Sequence, residues 1–157
     1  MAIKYKFFWG GYFSNWYPSE FIVDGIKFNC GEQYMMYQKA KLFGDTNSMN
    51  AILISDSPKE QKGLGRGVKN FKADIWDEQR FGLIKIGLKE KFKQDDLFLK
   101  ELLKYKGYQF VEASPFDNIW GIGYDEKNAL SHMNNWGQNL LGKMLTEICE
   151  ELTLTNN

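Results

Sequence analysis

Phe28-Asn-Cys-Gly-Glu32-Gln-Tyr-Met-Met-Tyr-Gln-Lys39-Ala-Lys-Leu-Phe43 is the stretch from which the rest of the chain can be read. Helix formers and aromatics run unbroken from Cys30 to Phe43, Asn29 stands at the entrance, and Gly44-Asp45 follows where a helix-ending glycine belongs. The spacing predicts a helix of about four turns. Residues seven apart on such a helix lie within about twenty degrees of each other, so Glu32, Met36, Lys39 and Phe43 form one stripe. A carboxylate and an ammonium about 10 Å apart along the axis therefore share a face with Met and Phe. That stripe admits two readings. Either it lies at a core boundary with both charged side chains reaching out to water, or it faces inward, where burial and neighbours tune both groups for proton transfer or nucleophilic attack.

The whole chain sets bounds on both readings. Its 157 residues, 43% of them hydrophobic, suffice for one sizeable core and predict a single domain over residues 1–157. Lys and Arg number 20, as do Asp and Glu, so an anionic substrate has to be gripped by a local pocket without a global positive field. Aromatic residues make up 16%, which suits stacking on flat ligands and an ordinary core alike. Cys30, Cys149 and the single His132 are too few for a disulfide framework or a zinc centre, so no metal and no cofactor are expected. No apolar run approaches eighteen residues and Met-Ala-Ile-Lys-Tyr-Lys lacks the apolar core of a signal peptide. The expectation is a soluble, cytoplasmic protein without membrane partners.

Outward from the central helix, Tyr5 to Trp9 reads as a buried strand stopped by Gly10-Gly11, and Ser14-Asn15-Trp16-Tyr17-Pro18 as a loop. Phe21 to Phe28 is a hairpin with Asp24-Gly25 at its turn. A short helix is expected from about Asp45 to Ile54. Ser57-Pro58-Lys-Glu60 has the form of a capping box and starts another, which the three glycines of Gly63-Leu-Gly65-Arg66-Gly67 are expected to end quickly. That turn is either a plain helix stop with a surface Arg or a place where backbone N–H groups and Arg66 hold a phosphate. Asp74 to Lys93 is the longest helix, with Phe81, Ile84, Leu88 and Phe92 inward and lysines outside. Leu97 to Leu103 follows as a helix and Tyr108 to Glu112 as a strand, with Ala113 to Gly123 irregular. Tyr124 to Gly137 reads as a long loop, and Leu140 to Leu152 as a closing amphipathic helix.

Taken in order, Phe13-Ser-Asn15-Trp-Tyr-Pro, Asn29-Cys-Gly-Glu32-Gln-Tyr-Met-Met, Lys39-Ala, Gly65-Arg66, Trp76, Lys91-Phe92, Val111-Glu112-Ala-Ser-Pro-Phe-Asp117-Asn-Ile-Trp120-Gly-Ile-Gly123 and Asn139-Leu-Leu-Gly142 resemble the YbiA-like, or NADAR, family. The resemblance runs from about residue 7 to 152. Two places depart from the family's pattern. Lys106-Gly107 stands where Thr-Gly is usual, and Trp136-Gly-Gln-Asn139 lacks the usual Arg. The fold implied is α+β and predominantly α-helical, a single compact domain with a small N-terminal hairpin and short strands.

The activity implied is hydrolysis of an N-glycosidic bond between a ribose and a base amine. One branch of the family removes ADP-ribose from guanine, and another acts on phosphoribosylamino-pyrimidine intermediates of riboflavin synthesis. The substrate is then ADP-ribose-like or a phosphoribosyl amine, with ADP-ribosylated DNA or RNA as a further partner. A module that holds ADP-ribose or NAD without cleaving it is the rival class, and a catalytically dead partner of a toxin is a third, against which the Glu32, Lys39 and Asp117 set argues. Within the resemblance Glu32 is the general acid, Asp117 the carboxylate that stabilises charge on the sugar, and Lys39 either a nucleophile forming an imine or, preferred, a cation holding a hydroxyl or phosphate. Arg66, with Gly65, takes phosphate; Trp76 and Trp120 stack or close the pocket; Asn15 and Asn139 bond ribose hydroxyls; and Gly121 completes the substrate-binding set.

Overall fold

The computed structural model describes residues 2–156. In chain order the elements are β1 (Tyr5–Phe8), β2 (Phe21–Val23), β3 (Ile26–Phe28), α1 (Gly31–Leu42), α2 (Thr46–Leu53), α3 (Pro58–Arg66) and α4 (Ala73–Gln94). Then come α5 (Asp96–Leu103), β4 (Gln109–Glu112), α6 (Glu126–Ala129) and α7 (Leu140–Thr155). They fall into two compact units, one made of Asn15–Asp95 and one of the described residues of Met1–Ser14 and Asp96–Asn157. The mix of helices and short strands is the α+β, mainly helical architecture expected.

In the Asn15–Asp95 unit the hairpin forms as its turn dictates. Asp24 and Gly25 take φ 51° and 78°, the pair of positive values that a two-residue turn requires, and Phe21 pairs with Phe28 across the strands. Gln94, at the end of α4, continues the ladder with its side chain, accepting from Ile22 N at 2.8 Å and donating to Ile22 O at 2.7 Å. The start of α1 lies one residue beyond the expected entrance. Cys30 is the cap, its Sγ accepting from Gln33 N, while Gln33 Oε1 reaches back to Asn29 N at 2.7 Å. The pattern resembles a capping box with a thiol in the hydroxyl's place, except that the return bond goes to the residue before the cap. Rings of Phe21, Phe28, Tyr34 and Tyr37 meet at centroid distances of 5.1–5.9 Å and form the aromatic centre of this unit.

The glycines of residues 63–67 do not end a helix early. Ser57 caps α3 as expected, its Oγ accepting from Glu60 N at 3.2 Å, but the helix continues through Gly63 and Gly65 to Arg66. The physical reason is packing against α1. A Cβ on Gly65 would lie 1.9 Å from Met36 Sδ and 2.9 Å from its Cγ, so hydrogen is the side chain that lets the two helices approach this closely. Gly65 thus has its amide committed within a helix and its open face committed to Met36, which corrects the reading of its backbone as a phosphate cradle. Gly65→Ala is expected to destabilise the protein by about 1–3 kcal/mol through overpacking. A fall in the urea midpoint at unchanged m-value is the measurement that checks it.

Buried amides join the first three helices. Gln61 Nε2 donates to Ser55 O at 2.8 Å and Asn29 Oδ1 at 3.1 Å, and Gln33 Nε2 donates to Ile52 O at 3.0 Å. In α4 the apolar face is as expected at Ile84, Leu88 and Phe92, all fully buried, but not every lysine is outside. Lys91 is only 1% exposed. It follows Leu88 by three positions and Ile84 by seven, which puts it on the inward face of the same helix.

In the other unit β1 and β4 pair in parallel, Tyr5 with Gln109 through Phe8 with Glu112. Val111, Ile122 and Ala129 form a small core with Tyr5, Phe7, Tyr124 and Trp136 against it. The segment 124–137, expected as a loop, instead holds α6 and a short 3₁₀ turn, Leu130–Asn135. Asp125 starts it by accepting from Asn128 N, and Trp136 Nε1 closes it by donating to Ala129 O at 2.8 Å.

Candidate functional site

The residues singled out in the sequence divide between the two units. Asn15, Glu32, Lys39, Gly65, Arg66 and Trp76 belong to one, and Asp117, Trp120, Gly121 and Asn139 to the other.

In the first unit the Glu32 stripe of α1 faces inward over most of its length. Glu32 is 3% exposed, Met36 is buried and Lys39 half-buried, which decides against two solvated charges at a core boundary. Lys39 Nζ lies 4.6 Å from the centre of the Phe71 ring. Desolvation lowers the Lys39 pKa below that of an ordinary lysine; the Arg66 charge lowers it further, and the Glu32 carboxylate pulls it back up. Lys39 therefore senses both the Glu32 and the Arg66 charge. Arg66, the last residue of α3, is exposed, so its guanidinium is available to an incoming anion.

Glu32 is anchored from the loop before it. Its backbone N–H donates to Asn15 O at 2.8 Å, and Asn15 Oδ1 is buried with no hydrogen-bond partner. An acceptor left without a donor in the interior costs about 1–3 kcal/mol. Gly31 makes this approach possible, because a Cβ there would lie 2.6 Å from Asn15 Oδ1. Trp76 is 6% exposed, which leaves almost none of its ring for stacking on a ligand.

Two groups of this unit, Cys30 and Lys91, were not foreseen. Burial pushes the Cys30 thiol above its usual pKa, with the Glu32 charge acting in the same direction and Lys91 against it. The Lys91 ammonium is pulled down to about 7 by desolvation, opposed by the charge of Cys30. The place of Lys91 on the Ile84–Leu88 face was the available signal, and the expectation that lysines lie outside concealed it.

In the second unit the Asp117 segment is held by its own backbone. Asp117 Oδ1 accepts from Ile119 N and Trp120 N, both at 2.9 Å, and Asp117 O accepts from Gly123 N at 3.0 Å. Carbonyls of this loop then receive the start of α7: Gln138 N donates to Asn118 O, Asn139 N to Gly121 O, Leu140 N to Ile119 O and Leu141 N to Trp120 O. They satisfy amides that a helix N-terminus leaves open. Gly121 fits where a Cβ would lie 2.8 Å from Glu112 O. Asn139, at φ 52°, spends its amide on β4, accepting from Glu112 N and donating to Phe110 O, both at 3.0 Å. Trp120 is half-buried. A cavity of about 300 Å³ is lined by Phe116, Asp117, Asn118, Tyr124 and Asn135 among others. A second, of about 230 Å³ and bordered by Lys106, Tyr108 and Glu150, includes none of the candidate residues.

Among the described residues no cluster of three or more His, Cys, Asp or Glu is placed to hold a metal ion, and no helix is long and apolar enough to cross a membrane.

Known proteins resemble this chain in sequence and in fold. The chain is 40% identical over 163 residues to an N-glycosidase of Acanthamoeba polyphaga mimivirus, covering 94% of this chain and 96% of that protein. It is 27% identical over 142 residues to a riboflavin biosynthesis protein of Vibrio vulnificus, covering 90% of this chain and 35% of that one. The fold matches the NMR structure of the E. coli protein YbiA with a TM-score of 0.81 at 25% identity, over 99% of this chain and 89% of that one. Residues 7–153 match the NADAR domain, and on that match the chain belongs to the NADAR domain family.

Proposed function

We propose that this protein is a hydrolase of N-glycosidic bonds that cleaves a ribose from the exocyclic amine of a base, with ADP-ribose on guanine as the substrate. The observation that carries the reading is the inward stripe of α1, where a buried Glu32 precedes a half-buried Lys39 whose pKa it influences. The relatives named N-glycosidase support the reaction class.

In the proposed reaction the Glu32 carboxyl gives its proton to the departing amine as the bond from the anomeric carbon breaks. The carboxylate then takes a proton from the water that attacks that carbon, so the products are the free amine and the hemiacetal of the sugar. Lys39 and Arg66 supply positive charge for the phosphates, Arg66 in bidentate fashion. The orphaned Asn15 Oδ1 accepts from a sugar hydroxyl. For Asp117, whose Oδ1 already holds two backbone amides, the proposed role is to shape its loop.

The name of the Vibrio relative favours a second reading, in which the leaving group is the amine of a phosphoribosylamino-pyrimidine. Incubation with each substrate separates the two. Release of ADP-ribose from modified guanine, with slower cleavage of the pyrimidine compound, is the expected result. Tight binding of ADP-ribose with no base released from either substrate overturns the enzymatic reading.

A further inference from the structure

Trp9 and Phe116 are 60% and 85% exposed, yet their rings contact one another with centroids 5.7 Å apart and planes tilted by 51°. Large rings this exposed contribute little to a core and mark binding surfaces when grouped. Their backbones are also restrained. Trp9 directly follows β1 and precedes Gly10 and Gly11, whose φ values of 104° and 68° suit glycine. Phe116 follows Pro115 and donates its N–H to Ser114 Oγ at 3.3 Å. The pair is therefore presented to solvent from two restrained segments.

Phe116 also lines the cavity of about 300 Å³ whose other walls include Asp117, Asn118, Tyr124 and Asn135. That volume is at the lower end of the range of small-molecule sites. An apolar wedge of two π-faces beside a polar recess suits a ligand that is flat and apolar on its faces but carries donors and acceptors around its edge. A protein partner's aliphatic side chain uses the faces and leaves the recess unused. We infer that Trp9 and Phe116 form a stacking subsite for a purine ring, with the polar recess receiving the purine's edge. The inference rests on the proposed function only for the class of ligand, a nucleotide. Two sources supply that chemistry: the adenine of an ADP-ribosyl group, or a neighbouring base of a nucleic acid.

Calorimetric titration of the full chain with ADP-ribose, AMP, ribose 5-phosphate and a short guanine-containing single-stranded DNA tests it. Trp9→Ala and Phe116→Ala are compared with the parent and with Trp9→Phe, and thermal melting verifies folding. The expected result is a five-fold or greater loss of affinity for ADP-ribose and AMP in both Ala variants. Binding of ribose 5-phosphate stays unchanged and Trp9→Phe retains most of the affinity. Loss confined to the DNA supports the subsite and assigns the purine to a neighbouring base. Unchanged affinity for every base-containing probe, or no binding of any of them by the parent, overturns the subsite. Because no turnover is measured, weakened purine binding in a protein that hydrolyses nothing refutes the proposed function while leaving the subsite standing.

Discussion

Glu32→Gln is expected to lower turnover of the N-glycoside by about 100-fold or more, the range in which a positioned general acid contributes. The substitution keeps the volume of a side chain that is 3% exposed, so it replaces the carboxyl by an amide without opening a cavity. It also removes a charge that two neighbours feel. Because the carboxylate raises the Lys39 pKa, its loss lets that pKa fall further, and the Cys30 thiol, which it pushes up, comes down. Titration of Lys39 by NMR in the variant therefore reports the same electrostatic contact independently of catalysis. A variant that turns over at the parent rate eliminates Glu32 as the acid.

The second large effect is on stability. Lys91 is held at about 7 in the fold and returns to 10.5 in the unfolded chain, so between these values the unfolded state binds the extra proton. Stability accordingly rises as pH increases from about 7 to about 10.5. Below that window both states carry the charge and the burial penalty is complete; above it neither does. The shift corresponds to at most roughly 5 kcal/mol. Lys91→Met removes this dependence. Urea unfolding of both proteins at pH 6.5, 8 and 9.5 is expected to show the variant gaining on the parent towards low pH. A difference in stability that stays constant across the three values rules out titration of Lys91 in that window.

These two residues illustrate how unevenly the chain discloses itself. Glu32 was legible because a carboxylate seven residues before a lysine, on a face with Met36, is a pattern contained within one helix. Lys91 stood on an equally clear face of α4 and was passed over, because lysine is assigned to solvent unless something opposite makes room for it. Asn139 was expected at a ligand and its amide is on β4. Nothing local to residue 139 announces that a strand 27 residues earlier brings the Glu112 N–H to it.

What the sequence by itself determined are the features whose causes act within a few residues. They are the Asp24-Gly25 turn with its two positive φ angles, the Ser57 cap, the apolar face of α4, and the aromatic and glycine order that identifies the family. Tertiary structure alone decided that α3 continues through Gly63 and Gly65, that Lys91 is dry and that Asn15 Oδ1 is left without a donor. Each of those depends on which atoms of a distant segment come opposite, and steric fit and desolvation are properties of both surfaces together, so neither stretch carries the answer alone.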